Sequence, residues 1–405
     1  MTARPNEIRD ISGLPVFFQL ACQMAARLRY GSLRFVLPDG RSLLFSGALE
    51  PQSEGVILVR DFEFARRSVL GGDIGFFESY ADGQWDSPSV TDVLYIFARN
   101  ADFVKDAFSK TPLIAFIGRL RNNFLNKNTR SGSRRNIMAH YDLGNEFYEK
   151  WLDRTMTYSS ARFEPGERDL SKAQTNKYRS LAQAIELSSD DSVLEIGSGW
   201  GGFAEFAAKE IGAHVTGITI SPAQLDYARA RIQREGLGER VAFQLLDYRD
   251  ASGVYDKIAS IEMFEAVGKE YWPDYFAKVR ALLKPGGAAG IQTITIADRF
   301  FEHYSHSTDF IKRYVFPGGM LPSVSALKSE VSRAGLLWQG AAAFGDDYAA
   351  TLAEWRRRFL GAWDEIVALG FDDKFKKLWQ FYLSYCEAGF KAATTDVMQI
   401  RLARG

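Results

Sequence analysis

An α/β protein built on a doubly wound, mainly parallel sheet is the fold the sequence predicts for residues 138–405, with a small α+β domain ahead of it. Three observations carry this. Short apolar runs at 191–196, 213–220, 240–246, 255–261 and 287–296 alternate with helical patterns at 201–210, 222–235 and 272–283, the spacing of strand–helix–strand units. The first run ends in a glycine turn, Gly197-Ser198-Gly199-Trp200-Gly201-Gly202, that opens directly into a helix. The end of every strand carries polar chemistry: Glu195 and the glycines, Thr219 and Gln224, Asp247-Tyr248, Glu262 to Glu265, and Gln292 to Ile294. Ligands of open α/β sheets bind beyond the carboxyl ends of the strands, so this coincidence marks a site.

At the amino end, residues 14–28 read as an amphipathic helix. A hairpin follows at 33–37 and 42–46, turned by Pro38-Asp39-Gly40-Arg41. Residues 56–60 are a strand and 62–70 a helix, while 71–85 read as a long loop or broken helix and 90–108 as helix. Residues 1–112 thus form the small domain, whose apolar helices suit either a core or contact with lipid. Residues 113–137 form a basic linker; the stretch GRLRNNFLNKNTRSGSRR within it holds six Arg or Lys and suits a solvated tether or a contact with anionic headgroups. In the larger domain, 172–187 is a helix, 297–322 an aromatic and charged insertion able to lid a pocket, and 323–334 a helix. A strand at 336–344, helices at 348–369 and 375–390, and a strand at 397–401 complete the chain, the two strands forming an antiparallel hairpin.

Bulk composition narrows the function classes. The 405 residues carry 50 Lys plus Arg against 50 Asp plus Glu, so no net charge draws the molecule to nucleic acid. Cys22 and Cys386 form no metal or redox spacing, no metal is implied, and a reducing cytoplasm is the expected setting. No apolar run approaches a membrane span and no signal-peptide core is seen. The excess of aromatics, 30 Phe, 17 Tyr and 8 Trp, fits a large core or an apolar ligand.

The glycine turn decides among small ligands. Gly197, Gly199 and Gly202 satisfy G-x-G-x-x-G, which alone suits a dinucleotide. A nicotinamide enzyme needs an acid at the end of the second strand, and Gly217-Ile218-Thr219-Ile220-Ser221 has none. Glu195 lies instead on the first strand, where it can face the α-amino group of an amino-acid-like ligand while turn N–H groups face its carboxylate. S-adenosylmethionine (SAM) has such an end, so a class I SAM-dependent methyltransferase is expected over a dehydrogenase.

The strings AHYDLGNEFYEKWLD, MTYSS, VLEIGSGWGG, VTGITISPAQ, DYRD, EMFEAVG, LKPGG and YVFPGGMLPSV together resemble the cyclopropane-fatty-acyl-phospholipid synthase family, which includes the mycolic acid cyclopropane synthases. The resemblance runs from about Ala139 to the carboxyl terminus, and GGDIGFFESYADGQW is similar to the extra domain of members that act on phospholipids. It implies a SAM site of Tyr158, Ser159, Glu195, Gly197, Gly199, Gly201, Thr219, Gln224, Asp247 and Tyr248. Tyr158 would face the sulfonium, Thr219 and Gln224 the ribose, and Asp247 the adenine amino group. It also implies peripheral attachment to the inner face of the membrane, phospholipid acyl chains as partners, an acyl-covering role for 297–322 and, by analogy alone, a homodimer.

Members of the family add the SAM methyl to an acyl double bond, and in the cyclopropane-forming ones a bound bicarbonate is thought to remove a proton. The residues matched to its ligands are Ser160, Glu265, Gln292, Ile294 and Tyr348, with Tyr141 nearby in the His140-Tyr141-Asp142 motif. Here Ser160 stands for a Cys, Gln292 for a His, and Ala266 where His commonly follows the Glu; Ser198 replaces a frequent Cys in the turn. Gln cannot titrate as His does, which points to altered proton handling and makes bound bicarbonate doubtful. The expected reaction is therefore methylation of an unsaturated acyl chain, a conjugated diene on a route to furan fatty acids being one case, to give a methyl- or methylene-branched product. Glu265 would serve as residual anion or base. Cyclopropanation is the alternative, and a non-catalytic lipid-binding protein the more distant one.

Overall fold

A computed structural model describes residues 11–102 and 143–405. Their contacts group them into two compact units. The smaller takes the described residues up to 102 together with 306–314 and 370–394; the larger takes 143–305, 315–369 and 395–405.

The smaller unit holds a four-stranded sheet in the order β2-β1-β3-β4, formed by β1 (Tyr30–Val36), β2 (Ser42–Ser46), β3 (Leu49–Val59) and β4 (Trp85–Asp86). The hairpin pairs as expected, Leu33 to Phe45 through Val36 to Ser42, and β3 joins the other side of β1 in parallel. Of the two expectations for 71–85, the broken helix is found: helix Glu63–Ala81 is interrupted at Gly72, whose φ of 60° and ψ of −142° no other residue type adopts cheaply, and a turn leads from it to β4. Helix Val90–Arg99 begins at Ser89, whose side chain accepts from Asp92 N at 3.3 Å.

Helix Asp373–Lys391 and segment 306–314 belong to this unit, although the sequence reading ended the small domain at residue 112 and assigned both to the larger one. Aromatic packing is the reason. Phe310 is fully buried, with ring centroids 4.7 Å from Phe77 and 4.8 Å from Phe381. The Asp73 carboxylate accepts from Phe310 N at 2.9 Å and Tyr385 Oη at 3.3 Å. An aromatic helical stripe announces a core without saying which one. The expected linker, 113–137, lies outside the described residues.

The larger unit is the expected doubly wound sheet. Its seven strands are β5 (Ser192–Ile196), β6 (His214–Thr219), β7 (Val241–Leu245), β8 (Tyr255–Ile261), β9 (Leu283–Ile296), β10 (Leu336–Ala343) and β11 (Thr395–Arg404). Their order is β10-β11-β9-β8-β5-β6-β7, parallel from β7 to β9 and antiparallel at β11 and β10. The expected antiparallel pairing at the carboxyl end is present, with β11 as the inner strand and the helices of 345–391 between the two strands in sequence. Strand alternation divides the core: Leu194 and Ile196 pack on one face with helices Trp272–Leu282 and Val324–Arg333, Val193 on the other with helices Leu170–Ala184 and Pro222–Arg234. Reversal of winding between β5 and β8 leaves a crevice at their carboxyl ends. Among the described residues no helix is long and apolar enough to cross a membrane.

Phe310→Ala should destabilise the smaller unit by about 3–5 kcal/mol, the usual cost of deleting a buried ring. A fall in the thermal unfolding midpoint checks this, and an unchanged midpoint would contradict the placement of 306–314.

Candidate functional site

The site begins where β5 runs out. Gly197, Gly199 and Gly201 all have positive φ, and Gly197 N and Ser198 N both donate to Ile218 O at 2.9 Å, folding the turn over the end of β6. Those two amides are spent on β6, so they are not the ones to face a ligand. A side chain at Gly197 would meet Met263 Cγ at 2.6 Å, whereas one at Gly199 would meet nothing within 4 Å. The turn is thus packed on one side and open on the other.

Glu195 is 3% exposed, and its Oε2 has no hydrogen-bond partner, as has the Oγ of Ser198. A buried carboxylate oxygen without a donor is costly, and a cationic ligand group removes that cost. Glu195 beside an open glycine turn therefore fits the ammonium and carboxylate end of SAM.

The segment 145–160 closes over the turn. Trp200 Nε1 donates to Asn145 Oδ1 at 2.8 Å, Arg231 Nη1 to Thr155 O at 2.7 Å, and the hydroxyls of Thr157 and Tyr178 lie 2.7 Å apart. A side chain on Gly202 would strike that Tyr178 hydroxyl at 2.4 Å. Tyr158 sits among Tyr148, Trp151 and Trp355, with centroids at 5.4, 5.6 and 5.2 Å, and Tyr148 reaches Trp200 at 5.1 Å. Rings gathered next to the glycine turn, which they reach through Trp200, suit a sulfonium cation.

At the ends of β8 and β9 the expected cradle has an occupant of its own. The Glu262 carboxylate accepts from Ser160 N at 2.8 Å and Gln292 Nε2 at 2.8 Å on Oε1, and from Tyr348 Oη at 2.6 Å on Oε2. Ser160, Gln292 and Tyr348, all singled out from the sequence, thus converge on a residue to which the sequence assigned no role, although it opens EMFEAVG and the group at the end of its strand. Ile294 and Glu265 meet separately: Glu265 Oε1 accepts from Ile294 N at 2.5 Å and Thr293 Oγ1 at 3.0 Å, and its Oε2 is buried without a partner. Met320 N donates to Glu265 O at 2.9 Å, so residues 315–322 of the insertion lie against this acid.

Register explains the grip of Gln292. Gln399 on β11 pairs with Gln292 on β9, and Gln399 Nε2 donates to Gln292 Oε1 at 3.0 Å. With its oxygen occupied, the Gln292 amide has only its Nε2 to offer Glu262. Glu262 has a φ of 49°, a left-handed backbone that costs a non-glycine residue about 1–2 kcal/mol. Strain of this kind collects at functional sites.

Thr219 and Gln224 are together, Thr219 Oγ1 donating to Gln224 Oε1 at 2.9 Å. Asp247 is held by Arg249, through its backbone N at 3.0 Å and its guanidinium at 2.9 and 2.6 Å, and Tyr248 packs edge-on to Tyr275 at 5.4 Å. Ser159 Oγ accepts from Lys177 Nζ at 2.6 Å. Tyr141 lies outside the described residues. Sequence reasoning missed Glu262, Gln399 and Lys177. Lys177 lies within a helical pattern, where a lysine normally reads as solvated; here it is fully buried.

Burial dominates the electrostatics. It raises the Glu195 carboxyl to about 8 against the pull of Lys177, and Glu265 to about 8 with help from the neighbouring charge of Glu262. Burial also raises Glu262, opposed by the Tyr348 and Gln292 hydrogen bonds, and lowers Lys177 to about 7 against the attraction of Glu262, Asp153 and Glu195. Among the described residues no group of His, Cys, Asp and Glu could hold a metal ion.

Residues 128–400 match the family model described as mycolic acid cyclopropane synthetase. The chain is 39% identical to the tuberculostearic acid methyltransferase UfaA1 of Mycobacterium tuberculosis over 92% of its own length and 88% of that protein's. It is 33% identical to the cyclopropane-fatty-acyl-phospholipid synthase of Escherichia coli over 88% of this chain and 90% of that one. Among solved structures it resembles the mycolic acid cyclopropane synthase CmaA1 complexed with SAH and CTAB, with a TM-score of 0.63 and 26% identity, covering 67% of this chain and 98% of that one.

The raised carboxyls have a consequence for stability. Glu195 and Glu265 hold their protons up to about pH 8 when folded and release them near 4.5 when unfolded, so their contribution is complete below 4.5 and is lost as pH rises to about 8. Lys177 works the other way, its contribution being present above 10.5 and lost as pH falls to about 7. Urea unfolding of the ligand-free protein should therefore show stability falling from pH 5 to pH 8. Glu195→Gln should flatten that fall; an equal slope in both proteins would refute the assignment.

Proposed function

Because the chain belongs to the mycolic acid cyclopropane synthetase family, we propose that it is a SAM-dependent C-methyltransferase that methylates a carbon–carbon double bond of a phospholipid acyl chain and releases a methyl- or methylene-branched product. The observation that carries the branched product is the closure of Ser160, Gln292 and Tyr348 on Glu262, which leaves the matched cradle with a carboxylate of the chain itself and with no titrating imidazole.

SAM supplies an electrophilic methyl on a sulfonium. An alkene is a weak nucleophile, so the chain's contribution is alignment, exclusion of water and stabilisation of charge. Glu195 and the open side of the turn hold the amino-acid end, and Thr219 with Gln224 lies at the end of β6 for the ribose. For Asp247 to accept from the adenine amino group, it must share its carboxylate with Arg249. The rings around Tyr158 face positive charge, first on sulfur and then on the acyl carbon. Glu265 adds a second carboxyl beside the reacting chain, and residues 315–322 cover it.

Methyl transfer leaves a cation on the neighbouring acyl carbon. Loss of a proton from the methyl-bearing carbon gives a methyl-substituted alkene. Loss from the methyl after a hydride shift gives a methylene group, and loss from the methyl with closure gives cyclopropane. A conjugated diene would give an allylic cation, the most stable of these. The name of UfaA1 supports the branched outcome and that of the Escherichia coli enzyme the ring. Access to acyl chains requires work at a membrane surface, and peripheral attachment to its inner face is part of the proposal.

Incubation with SAM and phosphatidylglycerol vesicles bearing cis-monoene or conjugated diene chains tests this reading. Branched alkene and cyclopropane are isomers, so ozonolysis before mass spectrometry is needed: it cleaves the former and spares the latter. Products that resist ozonolysis throughout would establish the ring and overturn the branched assignment.

A further inference from the structure

Glu262 is gripped from three sides. Three donors from three separate parts of the larger unit, Ser160 N, Gln292 Nε2 and Tyr348 Oη, meet on its two oxygens at 2.6–2.8 Å. A carboxylate has about four lone-pair sites, so these donors leave room for one more proton on Oε2. The residue as a whole is partly buried, in contrast to Gln292 and Ser160, which are fully buried. Its backbone is left-handed, at φ 49°.

Its location is also specific. Glu195 on β5 pairs with Ala259 on β8, so Glu262, three residues beyond Ala259, stands one strand spacing from the glycine turn. Contact bears this out: the next residue, Met263, is the one a side chain on Gly197 would strike. Ser160, its backbone donor, follows Tyr158 and Ser159 of the aromatic enclosure directly. Glu262 therefore lies between the turn that holds the methionine end of SAM and the rings that face the sulfonium.

We propose that the Glu262 carboxylate is the resident base of the reaction, taking the proton from the methylated acyl cation, so that the enzyme needs no exogenous bicarbonate. This rests on the methyltransferase reading above. In the first step the carbon–sulfur bond of SAM breaks with its electrons left on sulfur, and the alkene π pair forms the bond to the methyl. In the second, a carbon–hydrogen pair next to the cationic carbon becomes the new π bond, and the proton passes to Glu262 Oε2. Solvent takes that proton after product leaves. Gln292 is the appropriate neighbour for such a base: it donates to the carboxylate, its orientation is set by Gln399, and it carries no proton equilibrium to compete. Tyr348 Oη donates beside the accepting position and keeps Oε2 in place.

The experiment measures methylated acyl product from vesicles in buffer stripped of carbon dioxide, with and without added bicarbonate. The wild-type rate should be the same in both. Glu262→Gln keeps the shape and should lose about 100-fold or more of turnover while binding SAM normally. Glu262→Gly suits the left-handed backbone and vacates the cradle; it should be nearly inactive in stripped buffer and recover with added bicarbonate. A wild-type rate that collapses without bicarbonate, or a Glu262→Gln rate close to wild type, overturns the proposal. So does a Glu262→Gly enzyme that binds SAM yet is not rescued, since Glu262 would then only position its neighbours. A wild-type enzyme that methylates no acyl chain is a different failure, that of the functional reading, and it removes the ground for a base altogether.

Discussion

Buried carboxylates that must be given partners shape the larger unit. Glu195, Glu262 and Glu265 all lie at the carboxyl ends of adjacent strands, and burial raises each of them. Only Glu262 has a hydrogen bond on both oxygens; Glu195 and Glu265 each keep one oxygen without a donor. Lys177, fully buried and donating to Ser159, offsets part of this charge at Glu195 and Glu262, and Arg231 acts on Glu195 as well. Such an arrangement is poor as a device for stability, because desolvating several charges costs more than it returns. Acids placed in this way suit the proposed ligand, whose ammonium and sulfonium are cationic groups.

The antiparallel end of the sheet serves the same site from the opposite side. Insertion of β11 between β9 and β10 brings Gln399 level with Gln292, and the side chain of Gln399 also donates to Lys177 O at 2.9 Å. One glutamine on the last strand therefore ties the helix that carries Lys177 to the strand that carries Gln292. Ser180 Oγ donates to Gln399 Oε1 at 2.8 Å and completes the chain of contacts. A fully satisfied buried network of this kind holds its members in one arrangement, which a base acting on a hydrocarbon chain requires.

The smaller unit is organised by aromatic rings instead of charge. Phe76 stacks on Trp85 at 4.2 Å, and Phe77, Phe310 and Phe381 pack against one another with centroids 4.7–5.2 Å apart. Two segments far along the chain, 306–314 and 370–394, complete this core. The aromatic excess in the composition, which suited either a core or an apolar ligand, is to this extent explained by core.

Much of the protein was legible in the order of its residues. Alternating strand and helix periods, the Glu195–glycine turn and the absence of an acid after Thr219 were enough for a SAM-type sheet, because these signals are local and each lies within one strand–turn–helix unit. The family resemblance likewise implied Ser160, Gln292 and Tyr348. What those three residues hold was not legible. Glu262 is 102 residues from Ser160 and 86 from Tyr348, and nothing in its neighbours along the chain announces a left-handed backbone. Nor does a lysine in a helical stripe declare itself buried, or a glutamine near the end of the chain its register against Gln292. Periodicity specifies which residues share a face of one element; convergence of side chains from four elements depends on strand order and register, which are long-range properties of the folded sheet.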